Sequence, residues 1–280
     1  MRVRKSLDRL LILAFWASGL LLLAVLAGML AYLFIRGGSS LTLDFIRMTP
    51  AGSPVGSEGG VYPAIMGTIY LVIIALITSS IPGIITAIYL TEYSKPSRLR
   101  DNIEILIQSM AGVPSIIIGL FVYALFVVQM GWGMSLFAGG IALGIMIIPV
   151  IVVSTRDALL AVNIEYRLVG LAMGVSSAYL LFRIIIPQAW PGILSGILLA
   201  MGYAAGATAP IMVTAAAVSA PVPGSLFEPV MALPYHLYIL FSESISMDNA
   251  FATALLLVII LLIINALAMF LNSYQRKLRE

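Results

Sequence analysis

Residues 167–187 read RLVGLAMGVSSAYLLFRIIIP. They lie inside a 35-residue segment, Arg156 to Trp190, that carries Arg156, Asp157, Glu165, Arg167 and Arg183 between two long apolar blocks. The segment is too long for a simple connection and too amphipathic for disorder, so it is expected to be folded. What flanks it decides what kind of protein carries it.

The 280-residue chain is 61% hydrophobic and only 10% charged, more apolar surface than one water-soluble core can hide. Charge-free blocks fall at residues 10–35, 59–91, 105–155, 184–227 and 249–275, and a helix needs roughly 20 apolar residues to cross a bilayer. The block 105–155 is interrupted by QMGWGMS (129–135), whose Gly131 and Gly133 are turn residues, and so holds two helices. The block 184–227 holds one, with Pro187, Pro191, Pro221 and Pro223 read as boundaries. The expectation is an all-α integral membrane protein with six transmembrane helices.

Basic residues favour the cytoplasmic side of short loops. With both termini cytoplasmic, thirteen of the fifteen lysines and arginines lie inside and only Arg36 and Arg47 outside. The net charge of +3 then reflects topology and gives no reason to invoke nucleic acid. The 26-residue apolar run after MRVRKSLDR exceeds an ordinary signal-peptide core and reads as an uncleaved first span. There is no cysteine, and a single histidine, His236, cannot build a metal site alone.

The uncharged spans also separate the function classes. Proton-coupled carriers place Asp, Glu or His within their spans, and none of the five blocks contains one. A membrane enzyme needs a nucleophile with a base, or a ligand cluster, and neither is present. Lys5, Lys95 and Lys277 are the only lysines, and none follows a glycine-rich phosphate cradle. Energy for any transport must come from another chain.

At this point a resemblance becomes specific. The opening stretch is similar to the coupling loop of bacterial ABC-transporter permeases, a pattern that begins Glu-Ala-Ala, continues to a glycine and closes on Ile-x-Leu-Pro. Here Leu168, Val169 and Gly170 hold the opening positions, Gly174 the glycine, and Ile184 and Pro187 the close. Further stretches, TPAGSPVGSEGGVYPAIMGTIYLV (49–72), AIYLTEYSK (87–95), VPSIIIGLFVY (113–123), GILLAMGYAAGATAP (196–210) and FEPVMALPYHLYIL (227–240), resemble phosphate-specific permeases of the PstA type over nearly the whole chain. The resemblance implies a type I ABC importer permease fold in the cytoplasmic membrane and a heterodimer with a homologous permease. It also implies two copies of a cytoplasmic ABC ATPase, an extracytoplasmic phosphate-binding protein, and no cofactor on this chain. It divides the chain into a first helix with a Gly-rich outer loop (1–60), a five-helix permease core (61–272) with the coupling loop at 156–190, and a basic tail (273–280).

The coupling set it implies is Arg167, Leu168, Val169, Gly170, Leu171, Gly174, Ile184 and Pro187, on two short helices meeting at a glycine turn. Leu168 stands where the family has glutamate, so docking is expected to be mainly apolar, with Glu165 one turn earlier as a stand-in carboxylate or simply a solvated one. The translocation path it implies runs past Pro114, Ser115, Tyr203, Gly206, Ala207, Thr208, Pro210 and Thr214. The family usually carries an arginine where this chain has Tyr203 and a glutamate where it has Ala207; as i and i+4 on one helix these would pair, and both are lost together here. The wall is left neutral and lined with hydroxyls. Pro114 equally reads as a bend in its span alone, with Ser115 satisfying the carbonyl the ring frees. The Gly-rich segment 52–60 reads as a flexible loop or a contact for the binding protein, and ALPYHLYIL as an interfacial aromatic belt or a docking surface for that protein. Glycine pairs 140/144, 192/196 and 202/206 read as close helix contacts. Carriage of molybdate, tungstate or sulfate, an ion-coupled carrier, and an anion-status sensor remain as alternatives.

Overall fold

The computed structural model describes residues 2–277, and the side chains in that range other than those of residues 2–10, 171, 268 and 271–277. The basic residues of the two termini, and with them the tail 273–280, fall among the side chains outside that description. Helix α1 (Arg2–Gly37) is followed by the short α2 (Leu43–Arg47) and a two-stranded hairpin, β1 (Pro50–Ala51) antiparallel to β2 (Glu58–Gly59). Then come α3 (Tyr62–Ile88) with a π-helical turn Tyr89–Tyr93, α4 (Arg98–Gly112), α5 (Ser115–Val122) with a π-helical turn Tyr123–Gln129, and α6 (Leu136–Leu160). Helix α7 (Ile164–Ala172) leads to α8 (Ser177–Leu180), a third π-helical turn Leu181–Ile185 and α9 (Ile186–Ala205). The chain closes with α10 (Ala209–Thr214), α11 (Leu233–Ser242) and α12 (Met247–Lys277).

Five helical runs among the described residues are long and apolar enough to cross a bilayer: Leu11–Gly37, Tyr62–Tyr93, Leu136–Leu160, Ser177–Ala205 and Met247–Leu267. The sixth expected span is α4 with α5, and it is bent by 103°. Helix α6 is the centre of the molecule. Its Leu143, Ile147 and Ile151 are fully buried with Leu71 and Ala75 of α3 and Ala200 and Ala204 of α9.

Small residues allow that closeness. A Cβ on Gly140 or Gly144 would strike Ile74 and Thr78 of α3, and one on Gly192 or Gly196 would strike Ala158 and Ser154 of α6. The third pair does not behave this way. A Cβ on Gly202 would only graze Asn265 and Leu261 at 4.0 Å, and one on Gly206 would meet only the Gly202 carbonyl, because the helix ends there.

Helix α1 meets the rest at its C-terminal end, where Tyr32 packs edge-on against Phe251 of α12 with centroids 5.6 Å apart and the Arg36 guanidinium sits 5.0 Å above the same ring. The Gly-rich segment is ordered rather than flexible. Besides the β1–β2 pairing, Asn249 of α12 donates to the carbonyls of Gly56 (2.9 Å) and Ser57 (3.3 Å). Gly56 lies against Leu240 and His236 of α11. Burial lowers the His236 imidazole to about 4, so the ring under the hairpin is neutral at ordinary pH.

One buried hydroxyl ties α3 to α11. Thr68 Oγ1 donates to the Ala64 carbonyl (2.7 Å) and accepts the Leu233 N–H (2.9 Å). Thr68→Val keeps the shape and removes the acceptor, so it is expected to lower stability by about 1–3 kcal/mol, whereas Thr68→Ser stays close to the native protein. Thermal unfolding in detergent checks this; equal stability of the valine and serine variants would contradict the role of the bond.

Candidate functional site: two broken helices and a coupling helix

The bend between α4 and α5 is written into the backbone. A proline disfavours helical geometry in the residue before it, and Val113 accordingly adopts φ −73°, ψ 128°, ending α4 at Gly112. Pro114, at φ −55°, ψ 132°, then sits at the N-cap of α5. A second break separates α9 from α10. The N–H of Ala207 falls back on the Ala204 carbonyl (3.2 Å), Thr208 becomes the N-cap, and Pro210 occupies the first turn of α10.

The two half-helices α5 and α10 pack on one another. A Cβ on Gly119 would lie 2.7 Å from Pro210 Cα and 3.0 Å from Val213 Cγ2, so only glycine permits the approach.

These breaks sort the sequence-expected path residues. Ser115 and Tyr203 line one partly open cavity of about 100 Å³, together with Met110, Val113 and Ile118 and with Met146, Pro149 and Val150 of α6; Tyr203 is 57% exposed. Pro114 is exposed beside it. Ala207 instead packs against the central core, and Gly206 is exposed. Thr208 lines a separate apolar cavity of about 350 Å³ with Leu33, Pro234, Leu237 and Phe251. Pro210 and Thr214 are buried, and the Thr214 hydroxyl is taken by the Pro210 carbonyl at 2.7 Å.

The i, i+4 geometry expected for positions 203 and 207 does not hold here. Helix α9 stops at Ala205, so the two residues fall on either side of the break.

The coupling segment is also built differently from two short helices. Arg156 belongs to the last turns of α6, and α7 is the one short helix. The chain turns at Gly174 (φ +70°) and enters a helical run continuous from Ser177 to Ala205. Pro187 and Pro191 lie within that run, not at its ends; Pro187 comes one residue after the π-helical turn and stands in the first turn of α9.

On α7, Leu168 and Val169 are 59% and 56% exposed, and Met173, just past its end, is 75% exposed. The side chain of Leu171 lies outside the described residues. Gly170 is buried where a Cβ would lie 2.9 Å from Leu180. Ile184 is half-buried and Pro187 exposed. Asn163 caps the helix, accepting the Glu165 N–H at 3.0 Å, and its amide donates to the Glu165 carboxylate at 3.2 Å. Glu165 is thereby engaged within its own helix cap.

Arg167 points inward. Its guanidinium makes a bidentate pair with Glu92, Nη2 to Oε1 at 2.6 Å and Nε to Oε2 at 3.3 Å, and donates to the carbonyls of Leu159 (2.9 Å) and Val162 (3.1 Å). The two side chains are only 21% and 12% exposed. Sequence reasoning did not single out Glu92, although a lone carboxylate closing the 59–91 block was a visible signal. It also missed Asn249. Among the described residues no cluster of three or more His, Cys, Asp or Glu could hold a metal ion.

Comparison with known proteins agrees with this architecture. Residues 83–279 match the family described as binding-protein-dependent transport system inner membrane component. The chain is 31% identical over 277 residues to the phosphate transport system permease protein PstA 2 of Mycobacterium bovis, covering 98% of this chain and 90% of that one. It is 35% identical over 210 residues to the probable phosphate transport system permease protein PstA of Methanocaldococcus jannaschii, covering 74% of each. Among solved structures, the inward-facing MetNI methionine ABC transporter aligns with a TM-score of 0.65 at 15% identity, over 77% of this chain and 97% of that one. The fold is therefore that of type I ABC importer permeases, and this multi-pass membrane protein belongs to the family of binding-protein-dependent transport system inner membrane components.

Proposed function

We propose that this chain is one permease subunit of an ATP-driven importer of inorganic phosphate. The observation that carries the proposal is the similarity over 277 residues to a protein named as a phosphate transport permease. In this reading a homologous permease completes the pathway, two copies of an ABC ATPase dock on α7 and its flanks, and a phosphate-binding protein delivers the anion from outside. The excess of lysine and arginine in the termini and in the segments after α3 and α6 supports cytoplasmic termini. Alternating access follows: nucleotide closes the ATPase pair, α7 moves with it, and α3, α6 and the broken helices reorient.

The cavity between Ser115 and Tyr203 is the candidate passage point. Discontinuous helices are where transporters place substrate sites, since their ends expose backbone groups that an ordinary span has already paired. Here the N-terminal end of α5 carries the positive end of its dipole beside the Ser115 hydroxyl, and the Tyr203 side chain adds a second hydroxyl. A neutral wall of this kind offers donors to any tetrahedral oxyanion and holds none tightly. In this reading, discrimination rests on the binding protein and the partner permease.

The test is ATP hydrolysis and anion uptake by the whole complex in proteoliposomes, with phosphate, sulfate and molybdate compared. Phosphate is expected to stimulate both, and Tyr203→Phe to lower uptake by about three- to tenfold, the value of one hydrogen bond. Stimulation by sulfate or molybdate in place of phosphate would overturn the substrate assignment.

A further inference from the structure

We propose that Arg167 is a positioning residue for transport: its guanidinium is the strut through which displacement of α7 reaches α3 and α6. The inference rests on the transport role proposed above and assigns Arg167 an inward function, not a contact with the ATPase.

Three elements meet at one side chain. Glu92 sits in the π-helical turn that ends the α3 run, 75 positions before Arg167 in sequence. Leu159 belongs to the last turn of α6, and Val162 follows just beyond it. The Leu159 carbonyl takes a long backbone bond from the Val162 N–H at 3.3 Å, and carbonyls at a helix C-terminus carry partial negative charge, so a guanidinium is a favourable further donor there. The remaining donors of the same planar group match the Glu92 carboxylate bidentately, a geometry lysine cannot reproduce. Arg167 thus makes four hydrogen bonds, two to each neighbouring run, while sitting on α7 itself.

The outward surface is apolar and exposed, through Leu168 and Val169 of α7 and Met173 just past its end. On the other side Gly170 rests on Leu180, which belongs to the run leading into α9, and Tyr166 borders a pocket with Val162, Gln188 and Ala189. Force applied to the outward face therefore passes to α9 through the Gly174 turn and the Gly170 contact, and to α3 and α6 through Arg167. The second route matters for the pathway because α6 supplies Met146, Pro149 and Val150 to the cavity holding Ser115 and Tyr203. The π-helical turn contributes as well. A π turn carries an extra residue relative to an α turn, and this one brings Glu92 to the side facing Arg167.

The experiment uses the full complex in proteoliposomes and reads phosphate taken up per ATP hydrolysed. Arg167→Ala is expected to lower that ratio about tenfold, within the range by which residues linking two sites change their coupling; a brace needed only for folding would lower uptake and hydrolysis together and leave the ratio unchanged. Glu92→Ala severs the α3 leg alone and is expected to give a smaller fall. The natural chain has no cysteine, so Glu92→Cys with Arg167→Cys can be joined by a bis-maleimide, and the joined protein is expected to recover most of the ratio lost by the unjoined one. If Arg167→Ala does not assemble, Arg167→Lys is read in its place.

A second measurement does not depend on the anion. In Lys95→Cys, maleimide labelling is expected to change about fivefold between nucleotide-free and ATP–vanadate states, and to change less than about twofold once Arg167→Ala is added. A native complex that shows this labelling change but takes up no phosphate would contradict the phosphate reading and leave the strut standing. An unchanged uptake ratio, no effect of cross-linking, or the same labelling change with and without Arg167 would overturn the strut.

Discussion

Val169→Asp is expected to abolish transport-coupled ATP hydrolysis, with stimulation by the loaded binding protein falling by more than about tenfold. Val169 is 56% exposed beside Leu168 at 59%, on α7, the helix that precedes the Gly174 turn. A carboxylate there remains solvated in the isolated subunit, so folding is unaffected. On docking it must be stripped of water inside an apolar contact, at a cost of several kcal/mol. Glu165→Gln on the same helix is the matched control, since its carboxylate is already engaged by Asn163, and it is expected to leave stimulation within about twofold, the scale of an exposed polar contact. Full stimulation in the Val169→Asp complex would show that the ATPase docks elsewhere.

Gly119→Val is expected to cut anion uptake at least tenfold at matched amounts of assembled complex. The added Cβ would lie 2.7 Å from Pro210 Cα, which is backbone and cannot rotate aside. Either α5 or α10 must then shift, and overpacking of this sort costs about 1–3 kcal/mol. Because α5 begins at Ser115 and α10 follows the break after Tyr203, the displacement spreads the two hydroxyls of the cavity. Gly119→Ala adds the same Cβ without the branches and is expected to have a smaller effect. Native uptake in the valine variant would mean that the contact of the half-helices does not shape the path.

Much of this fold is legible in one dimension because a bilayer leaves a chain few choices. Each of the five uncharged blocks overlaps one of the five long runs, and Gly131 and Gly133, both at φ +71°, make the turn that divides 105–155. The break at Pro114 follows from one residue's lack of an N–H and its clash with the residue before it. The break at Gly206–Thr208 is not legible in the same way. No proline stands at 206 or 207, and Pro210, which suits the first turn of a helix, is the one local signal in the small-residue run from 196 to 214; the interruption also rests on packing α10 against α5 and α6. Pro187 and Pro191 mislead for the converse reason. Proline is tolerated in the first turn of a helix and after a locally widened one, so each sits in a continuous run.

The candidate site divides similarly. Ser115 and Tyr203 lie 88 positions apart and meet only because both helices break at one level. Thr208, Pro210 and Thr214 share a sequence neighbourhood with Tyr203 but not its surroundings, since α9 ends at Ala205 and α10 begins only at Ala209. Arg167 was visible as part of a motif, whereas its partner Glu92 was not, because no local spacing links positions 75 apart. Asn249 is hidden for the same reason: its two bonds close loops of more than 190 residues.

The three π-helical turns, Tyr89–Tyr93, Tyr123–Gln129 and Leu181–Ile185, carry a consequence for sequence change. Each holds one residue more than an α-helix of the same height would need, so deleting a single residue there leaves a span of unaltered length. Rotation is conserved as well, because the widened turn fits its extra residue into one circuit of the axis. A one-residue deletion confined to the third turn therefore leaves α9 facing α7 as before, whereas the same deletion in a regular α-helical stretch turns everything beyond it by about 100°. What the deletion removes is the bulge itself, and in the first turn the bulge is where Glu92 meets Arg167. A one-residue gap at these positions is thus absorbed by the span and felt only by the side chains that the widened turn presents.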